Sequence, residues 1–171
     1  DQLFENELFG HVKGAYTSAA SEQGGLVLEA EGGTLFLDEV DALNPYAQAK
    51  LLRFVQYREY RPLGCSRTKL AHVRIIAASN HDLRQAVTER QFREDLFHRL
   101  NVLSLVVPPL RERVEDIPLL ADRFLQRFRR ADGQGPRRLS EDAIQKLLAY
   151  AWPGNVRELE STLQRAVVMC G

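Results

Sequence analysis

Gly32-Gly33-Thr34-Leu35-Phe36-Leu37-Asp38-Glu39-Val40 is the stretch that decides the fold. Its apolar run ends abruptly in two adjacent carboxylates. Leu35, Phe36 and Leu37 gain from burial, as in a strand of a sheet covered on both faces, whereas Asp and Glu are almost never fully buried unless paired. The expectation is a buried strand that delivers Asp38 and Glu39 to a sheet edge, where an ion or water meets them. A core strand followed by a solvated acidic turn is the plainer reading of the same residues, and the surrounding sequence must choose between the two.

Two further apolar runs, Val73 to Ala78 and Val102 to Val107, are short, nearly continuous and rich in branched residues, which predicts parallel strands. Between the first two runs lies a helix opened by Asn44 and Pro45, with Ala47, Leu51, Leu52 and Val55 on one face. A second helix, roughly Leu83 to Leu100, precedes the third run. Strands alternating with helices predict an α/β core with a parallel sheet. Ligands sit at the carboxyl ends of such strands, where Asp38, Glu39, Ser79 and Asn80 are expected to converge. After Pro108-Pro109 the strand signal stops, and Ile117, Leu120, Ala121, Phe124, Leu125 and Phe128 keep a helical period. Residues 129–138 read as a basic loop, and Ser140 with Glu141 and Asp142 starts another helix. After Trp152-Pro153-Gly154 a last helix is expected, capped by Asn155 with Glu158 three residues later, its apolar face carried by Val156, Leu159, Leu163 and Val167. The chain thus divides into an α/β core over residues 1–109 and a small all-helical subdomain over 110–171.

The 23 acidic and 23 basic residues cancel, so no net field draws the whole chain to nucleic acid or membrane, and partners must be recognised locally. Cys65 and Cys170 stand far apart with no C-x-x-C, which suits a reducing cytoplasm better than a disulfide scaffold. His11, His72, His81 and His98 are scattered without ligand spacing and read as surface or packing residues rather than a zinc site. No apolar run approaches the roughly 18 residues of a membrane span, and no signal peptide opens the chain. A soluble cytoplasmic protein is expected. The chain starts at Asp1 and stops at Gly171 directly after a helical pattern, so both ends read as cut.

Adjacent carboxylates at the end of a buried strand form a Walker B arrangement, in which nucleotide hydrolases hold magnesium and activate water. Its usual companion, a G-x-x-x-x-G-K-[ST] phosphate loop, does not occur in the sequence, nor does the dipeptide Gly-Lys. In the segment Phe92 to Leu100, Phe92, Leu96 and Leu100 share a face, leaving Arg93 and Arg99 to point elsewhere. Either Asp95 pairs with Arg99 at the i, i+4 spacing while Arg93 is solvated, or an arginine finger is present, a planar and permanently charged fork for a transferred phosphoryl group. Arg157 lies in the first turn of the last helix, where the positive end of the dipole disfavours a cation by roughly 0.3 to 1 kcal/mol. Phosphate is the natural anion there; an ion pair with Glu158 or Glu160 is the alternative. Gly14-Ala15-Tyr16-Thr17-Ser18-Ala19 is either a pliant contact loop presenting an aromatic or an ordinary turn with Tyr16 tucked into a local cluster.

With these residues assembled, the whole chain resembles the central AAA+ domain of the bacterial enhancer-binding proteins, the sigma-54-dependent transcription activators of the NtrC type. The resemblance is carried by Glu7-Leu8-Phe9-Gly10-His11 and its following loop, Gly32 to Val40, Arg74 to Asn80, Phe92 to Leu100, Pro109 to Arg113 with Glu115-Asp116-Ile117, and Trp152 to Leu159. It implies a P-loop-type parallel sheet core, incomplete at its amino end, followed by a helical lid. It also implies ATP and Mg2+ as cofactors, with Asp38 orienting the metal and Glu39 polarising the attacking water. Nucleotide binding is implied for Ala30, Glu31, Gly32, Gly33, Thr34, Leu35, Phe36 and Leu37 along with Asp38 and Glu39. Ser79 and Asn80 match sensor I, Arg157 matches sensor II, and Arg93 and Arg99 match fingers that reach the next subunit of a ring, usually a hexamer. Gly14, Ala15, Tyr16, Thr17, Ser18 and Ala19 match the GAFTGA loop that grips sigma-54 in the polymerase holoenzyme.

Tyr16 replaces that motif's phenylalanine and keeps the ring, whereas Ser18 replaces its second glycine and removes freedom at positive φ. A nucleotide-binding, oligomerising regulatory module that does not act through sigma-54 is the rival. The resemblance further implies that the phosphate loop, and an asparagine restraining the catalytic glutamate, lie upstream of Asp1. A DNA-reading helix-turn-helix would follow Gly171. The isolated chain is therefore expected to be poorly stable and a feeble ATPase, with a sheet edge and a core face uncovered.

Overall fold

The computed structural model describes residues 2–17, 19–128 and 138–169. The chain divides into two compact units, Asp1–Ser104 and Leu105–Gly171.

The first unit runs α1 (Gln2–Phe9), β1 (Gly10–His11), β2 (Gln23–Gly24), α2 (Leu26–Glu29), β3 (Thr34–Leu37), a 3-10 turn (Val40–Ala42), α3 (Pro45–Tyr57), β4 (Glu59–Tyr60), β5 (Lys69–Leu70), β6 (Arg74–Ala77), α4 (Leu83–Thr88) and α5 (Glu94–Leu100). β3 and β6 pair in parallel, with Thr34 opposite Arg74 and Leu37 opposite Ala77, while β1–β2 and β4–β5 are short antiparallel pairs. Gly10 permits the close pairing of β1 with β2: its φ is +76°, and a Cβ there would run into the Gln23 carbonyl oxygen.

The core of this unit packs Leu35 of β3 with Val27, Leu51, Phe54, Phe92 and Leu96. Asn44 caps α3 as its sequence requires, its side chain accepting the Ala47 amide ahead of Pro45 at the first turn. The buried face of α3 also includes a polar residue. Gln48 is 1% exposed; its Nε2 donates to the carbonyls of Leu43 (2.7 Å) and Gln91 (3.0 Å), and its Oε1 accepts the Arg93 amide at 2.8 Å. One side chain therefore joins α3 to the start of α5. Glu5, 7% exposed, is held by Lys50 Nζ at 2.7 Å and by the Tyr46 hydroxyl at 2.9 Å, tying α1 to α3.

Four expectations are corrected. The Val102 to Val107 run forms no strand; Val102, Leu103, Leu105 and Val106 are all at least 79% exposed, because no strand among the described residues pairs with this stretch. The β3–β6 pair is covered on one face rather than both: Leu35 is buried, but the registered neighbours Phe36 and Ile76 are 58% and 43% exposed. The helix expected over Leu83 to Leu100 is two helices. Arg90 adopts φ +59°, the amides of Gln91 and Phe92 both return to the Ala86 carbonyl, and Phe92 turns into the core. Asn155 does not cap the last helix, for its Oδ1 accepts the Leu110 amide at 2.8 Å, and the carboxylate of Glu158 reaches back to the Gly154 amide instead.

The second unit contains a 3-10 turn (Leu110–Glu112), α6 (Asp116–Arg127), α7 (Glu141–Ala149) and α8 (Asn155–Met169). Ile117 and Ala121 of α6 and Leu159 and Leu163 of α8 meet Leu110 and Trp152 in a second core. Ser140 caps α7 through the Ala143 amide, as read from the sequence. The basic loop lies outside the described residues except for Arg138.

Replacing Gln48 with leucine removes three hydrogen bonds at a buried position and leaves the Arg93 amide and two carbonyls unpaired. At about 1–3 kcal/mol for each unsatisfied group, softened by relaxation, Gln48→Leu is expected to cost about 3 kcal/mol. A urea titration of the chain reads this as a lower midpoint at unchanged slope.

Candidate functional site

The turn after β3 is fixed from both sides by one residue. The Ala78 amide donates to the Leu37 carbonyl at 2.8 Å, and the Val40 amide donates to the Ala78 carbonyl at 3.0 Å. Val40 is then buried at 1% exposure, so Asp38 and Glu39 have no course but outward. Glu39 takes up the excursion with φ +51° and ψ 45°, a left-handed conformation that costs a non-glycine residue of order 1–3 kcal/mol. Its amide donates to Asp38 Oδ1 at 2.9 Å, and both carboxylates are exposed. The sequence reading of a strand that extrudes two acids holds.

Asn80 comes to them from the end of β6, its Nδ2 donating to Glu39 Oε1 at 3.1 Å. Ser79 lies in the same turn but is directed elsewhere, its hydroxyl donating to the His81 carbonyl at 2.7 Å and accepting the His81 amide at 3.2 Å. Sequence reading missed Asp41 and His81. Asp41 Oδ1 accepts the Asn80 amide at 3.3 Å, and Asp41 Oδ2 meets His81 Nδ1 at 2.7 Å. Burial pushes the Asp41 carboxyl upward, but its contact with His81, the nearby Ser79 hydroxyl and backbone amides outweigh it and leave the group below the ordinary carboxylate value of 3.8. A contact across 40 residues has no spacing signature, which is why no motif announced it.

The other residues expected to bind nucleotide do not gather here. Ala30, Glu31, Gly32 and Gly33 precede β3, at the strand end remote from Asp38. The Glu31 carboxylate accepts the His72 amide at 3.1 and 3.2 Å, and the Gly32 amide donates to the His72 carbonyl. Thr34, Leu35, Phe36 and Leu37 are the strand itself.

Arg93 stands at the N-cap of α5, its backbone held by Gln48. Its guanidinium is paired with Asp95 rather than solvated: Nε reaches Oδ1 at 3.0 Å and a terminal nitrogen reaches Oδ2 at 2.7 Å. This pairing lowers the Asp95 carboxyl and raises the Arg93 guanidinium. Asp95 is thereby taken from Arg99, which is exposed and makes no ion pair among the described residues. Arg157 lies in the first turn of α8, exposed, and neither acid offered to it by the sequence is used by it. Glu158 accepts from Gly154 and Tyr150, and Glu160 pairs with Arg127 at 3.0 Å.

The Gly14–Ala19 loop closes on itself, the Gly14 amide donating to the Ala19 carbonyl at 2.9 Å and the Ala19 amide to the Tyr16 carbonyl at 2.9 Å. Tyr16 is 37% exposed with its ring 5.0 Å from that of the buried His11, while Ala15 is half-buried and Thr17 exposed. Ser18 lies outside the described residues.

No group of three or more His, Cys, Asp or Glu side chains among the described residues is arranged to cage a metal. The donor set at the end of β3 fits the other style of binding: Mg2+ commonly takes one or two carboxylates and completes its shell with water and substrate phosphates. Asp38, exposed and with one oxygen occupied by the Glu39 amide, suits that role. No helix among the described residues is long and apolar enough to cross a membrane.

Comparison with known proteins supplies the family. Residues 1–106 match the sigma-54 interaction domain, and residues 111–171 match the AAA+ ATPase lid domain. The chain is 51% identical over 169 residues to the alginate biosynthesis transcriptional regulatory protein AlgB of Pseudomonas putida, covering 99% of this chain and 38% of AlgB. It is 47% identical to the transcriptional regulatory protein ZraR of Salmonella typhimurium, with 99% of this chain and 38% of that protein covered. Among solved structures, NtrX from Brucella abortus superposes with a TM-score of 0.89 at 35% identity, over 98% of this chain and 38% of NtrX. NtrX in complex with ATP superposes with a TM-score of 0.85 at 36% identity, over 96% of this chain and 37% of that one. The chain therefore spans well under half the length of these relatives. With an extruded carboxylate pair, an asparagine set against it and a helical second unit, this chain belongs to the sigma-54 interaction domain family of AAA+ ATPases.

Proposed function

We propose that the protein carrying this chain hydrolyses ATP in a ring oligomer, usually a hexamer, to remodel the closed complex of the sigma-54 RNA polymerase holoenzyme in the cytoplasm. The observation that supports this reading best is the Asn80 amide on Glu39, at the end of the strand that extrudes Asp38. Glu39 takes the role of base: its carboxylate polarises a water, and Asn80 fixes which oxygen is turned outward. Asp38 holds Mg2+, which when bound neutralises charge on the phosphates. Ser79 braces the turn that carries Asn80. Arg93 and Arg99 serve the neighbouring subunit's nucleotide, and Arg157 meets phosphate from the lid. The Gly14–Ala19 loop, in which Tyr16 and Thr17 are exposed, contacts sigma-54. DNA would be reached through a helix-turn-helix outside this chain.

The sequence holds no phosphate loop, so the 171-residue chain alone is proposed to hydrolyse ATP feebly. In a protein that joins it to such a loop, Arg93→Ala is expected to lower turnover by roughly 10^3-fold while nucleotide affinity is kept. Unchanged turnover would remove the finger assignment.

A regulatory module that binds nucleotide and oligomerises without engaging sigma-54 is the second reading, favoured by Ser18 where the contact motif has glycine. Capture of sigma-54 by the oligomer in the presence of a nucleotide transition-state mimic separates the two. The first reading expects capture that Tyr16→Ala abolishes; no capture by the unmodified protein supports the second.

A further inference from the structure

We infer that Asp41 and His81 clasp the 79–81 turn so that Asn80 stays directed at Glu39, which makes both of them positioning residues for hydrolysis. The inference rests on the reading of Glu39 as base. Asp41 is the middle residue of the 3-10 turn that follows Glu39, and its side chain is only 11% exposed, unlike the open carboxylates of Asp38 and Glu39. Both of its oxygens are spent on the opposite strand's exit: Oδ1 on the Asn80 amide and Oδ2 on His81 Nδ1. An ionised carboxylate only accepts hydrogen bonds, so Nδ1 carries the proton and His81 is a donor here. Ser79 closes the turn from its inner side through both the amide and the carbonyl of His81.

Asn80 itself is exposed, and the hydrogen bond to Glu39 is the only one its side chain makes among the described residues. No packing fixes its direction, so the turn that carries it must. Behind Asn80 the chain is anchored at Ala78, and ahead of it at Asp82, whose side chain caps α4 through the Arg84 amide. Between these anchors the Asp41–His81 contact and the Ser79 bonds are what hold the backbone. A single hydrogen bond contributes only about 0.5–1.5 kcal/mol to stability, but displacement of a catalytic group by about 1 Å costs on the order of 10^2 in rate. A weak contact is therefore given leverage by where it acts.

The test takes a protein that joins this chain to a phosphate loop. His81→Ala and Asp41→Ala are expected each to lower kcat about tenfold or more, as loss of a residue behind a catalytic group commonly does. KM and nucleotide affinity should stay within about twofold, and the double variant should fall no further than the worse single. His81→Asn, whose amide nitrogen can stand where Nδ1 stands, should recover most of the loss. In the 171-residue chain, without nucleotide, the Asn80 side-chain amide resonances should shift on His81→Ala and return on His81→Asn. Full kcat in both alanine variants, losses that multiply in the double variant, or Asn80 resonances unmoved by His81→Ala would each overturn the clasp. Glu39→Gln serves as the reference: if it keeps turnover, the assignment of the base falls, while the Asn80 resonances still judge the clasp.

Discussion

The double engagement of Ala78 is the constraint on which the site depends. In a parallel pair the backbone groups of one strand bond alternately to residues on the other, and at the end of β3 this pattern is carried one step past the last paired residues, Leu37 and Ala77. Because Leu37 and Val40 bond to the same residue, the intervening Asp38 and Glu39 are looped out whatever their side chains prefer. Burial of Val40 offsets the left-handed backbone at Glu39: a fully buried valine contributes about 1.5–3 kcal/mol, comparable with the strain. The same register sets Asn80 two residues beyond Ala78, opposite the looped-out pair. The geometry of the proposed site follows from sheet register and one buried side chain.

Around that turn the polar interior divides its labour. Gln48 fixes the backbone of Arg93 through a buried amide, so the root of the proposed finger shares the rigidity of α3. The tip does not. Arg93 and Asp95 are each about half exposed, and such pairs contribute only about 0–1 kcal/mol, so the guanidinium is released at small cost. Glu5 with Lys50 does the structural counterpart on the far side of α3, where the charge of a carboxylate at 7% exposure is matched directly. Hydrogen bonding to Glu5 raises the Lys50 ammonium above its ordinary 10.5, so on the alkaline side the lysine keeps its charge until pH climbs through that raised value.

What the sequence made legible was local. The strand ahead of Asp38-Glu39, the Asn44-Pro45 start of α3 and the Ser140 cap of α7 each depend on residues within four positions of one another, and all formed where read, although the strand is covered on one face only. The expectations that failed needed a distant partner. Val102 to Val107 has the composition of a strand, yet a strand exists only where another supplies its hydrogen bonds, and none among the described residues does. Asn155 looked like a cap by spacing, but the Leu110 amide, 45 residues away, claims its oxygen. The segment from Leu83 to Leu100 is apolar at helical intervals, and the break at Arg90 comes from turning Phe92 into the core. At the site the carboxylates and Asn80 were legible because motif order carries them. Asp41, His81 and Gln48 were not, since an acid in a turn, a lone histidine and a glutamine on a helix carry no signal until the fold brings them to their partners.

The two kinds of charge at the proposed site are held in different ways, and the difference bears on how hydrolysis is controlled. The acidic half is built in: Asp38, Glu39 and Asn80 are fixed by backbone bonds within one unit before any ligand arrives. The basic half is only lightly committed. Arg99 and Arg157 have no ion pair among the described residues, and Arg93 has an exposed one. A charge-assisted hydrogen bond is worth about 1.5–3 kcal/mol, more than the exposed pair that Arg93 gives up. Arg157 starts from a position its own helix dipole disfavours, so phosphate also relieves a local cost. On the proposed function, nucleotide and a neighbouring subunit would therefore gather these arginines, so that assembly completes the site and an isolated subunit stays quiet by default.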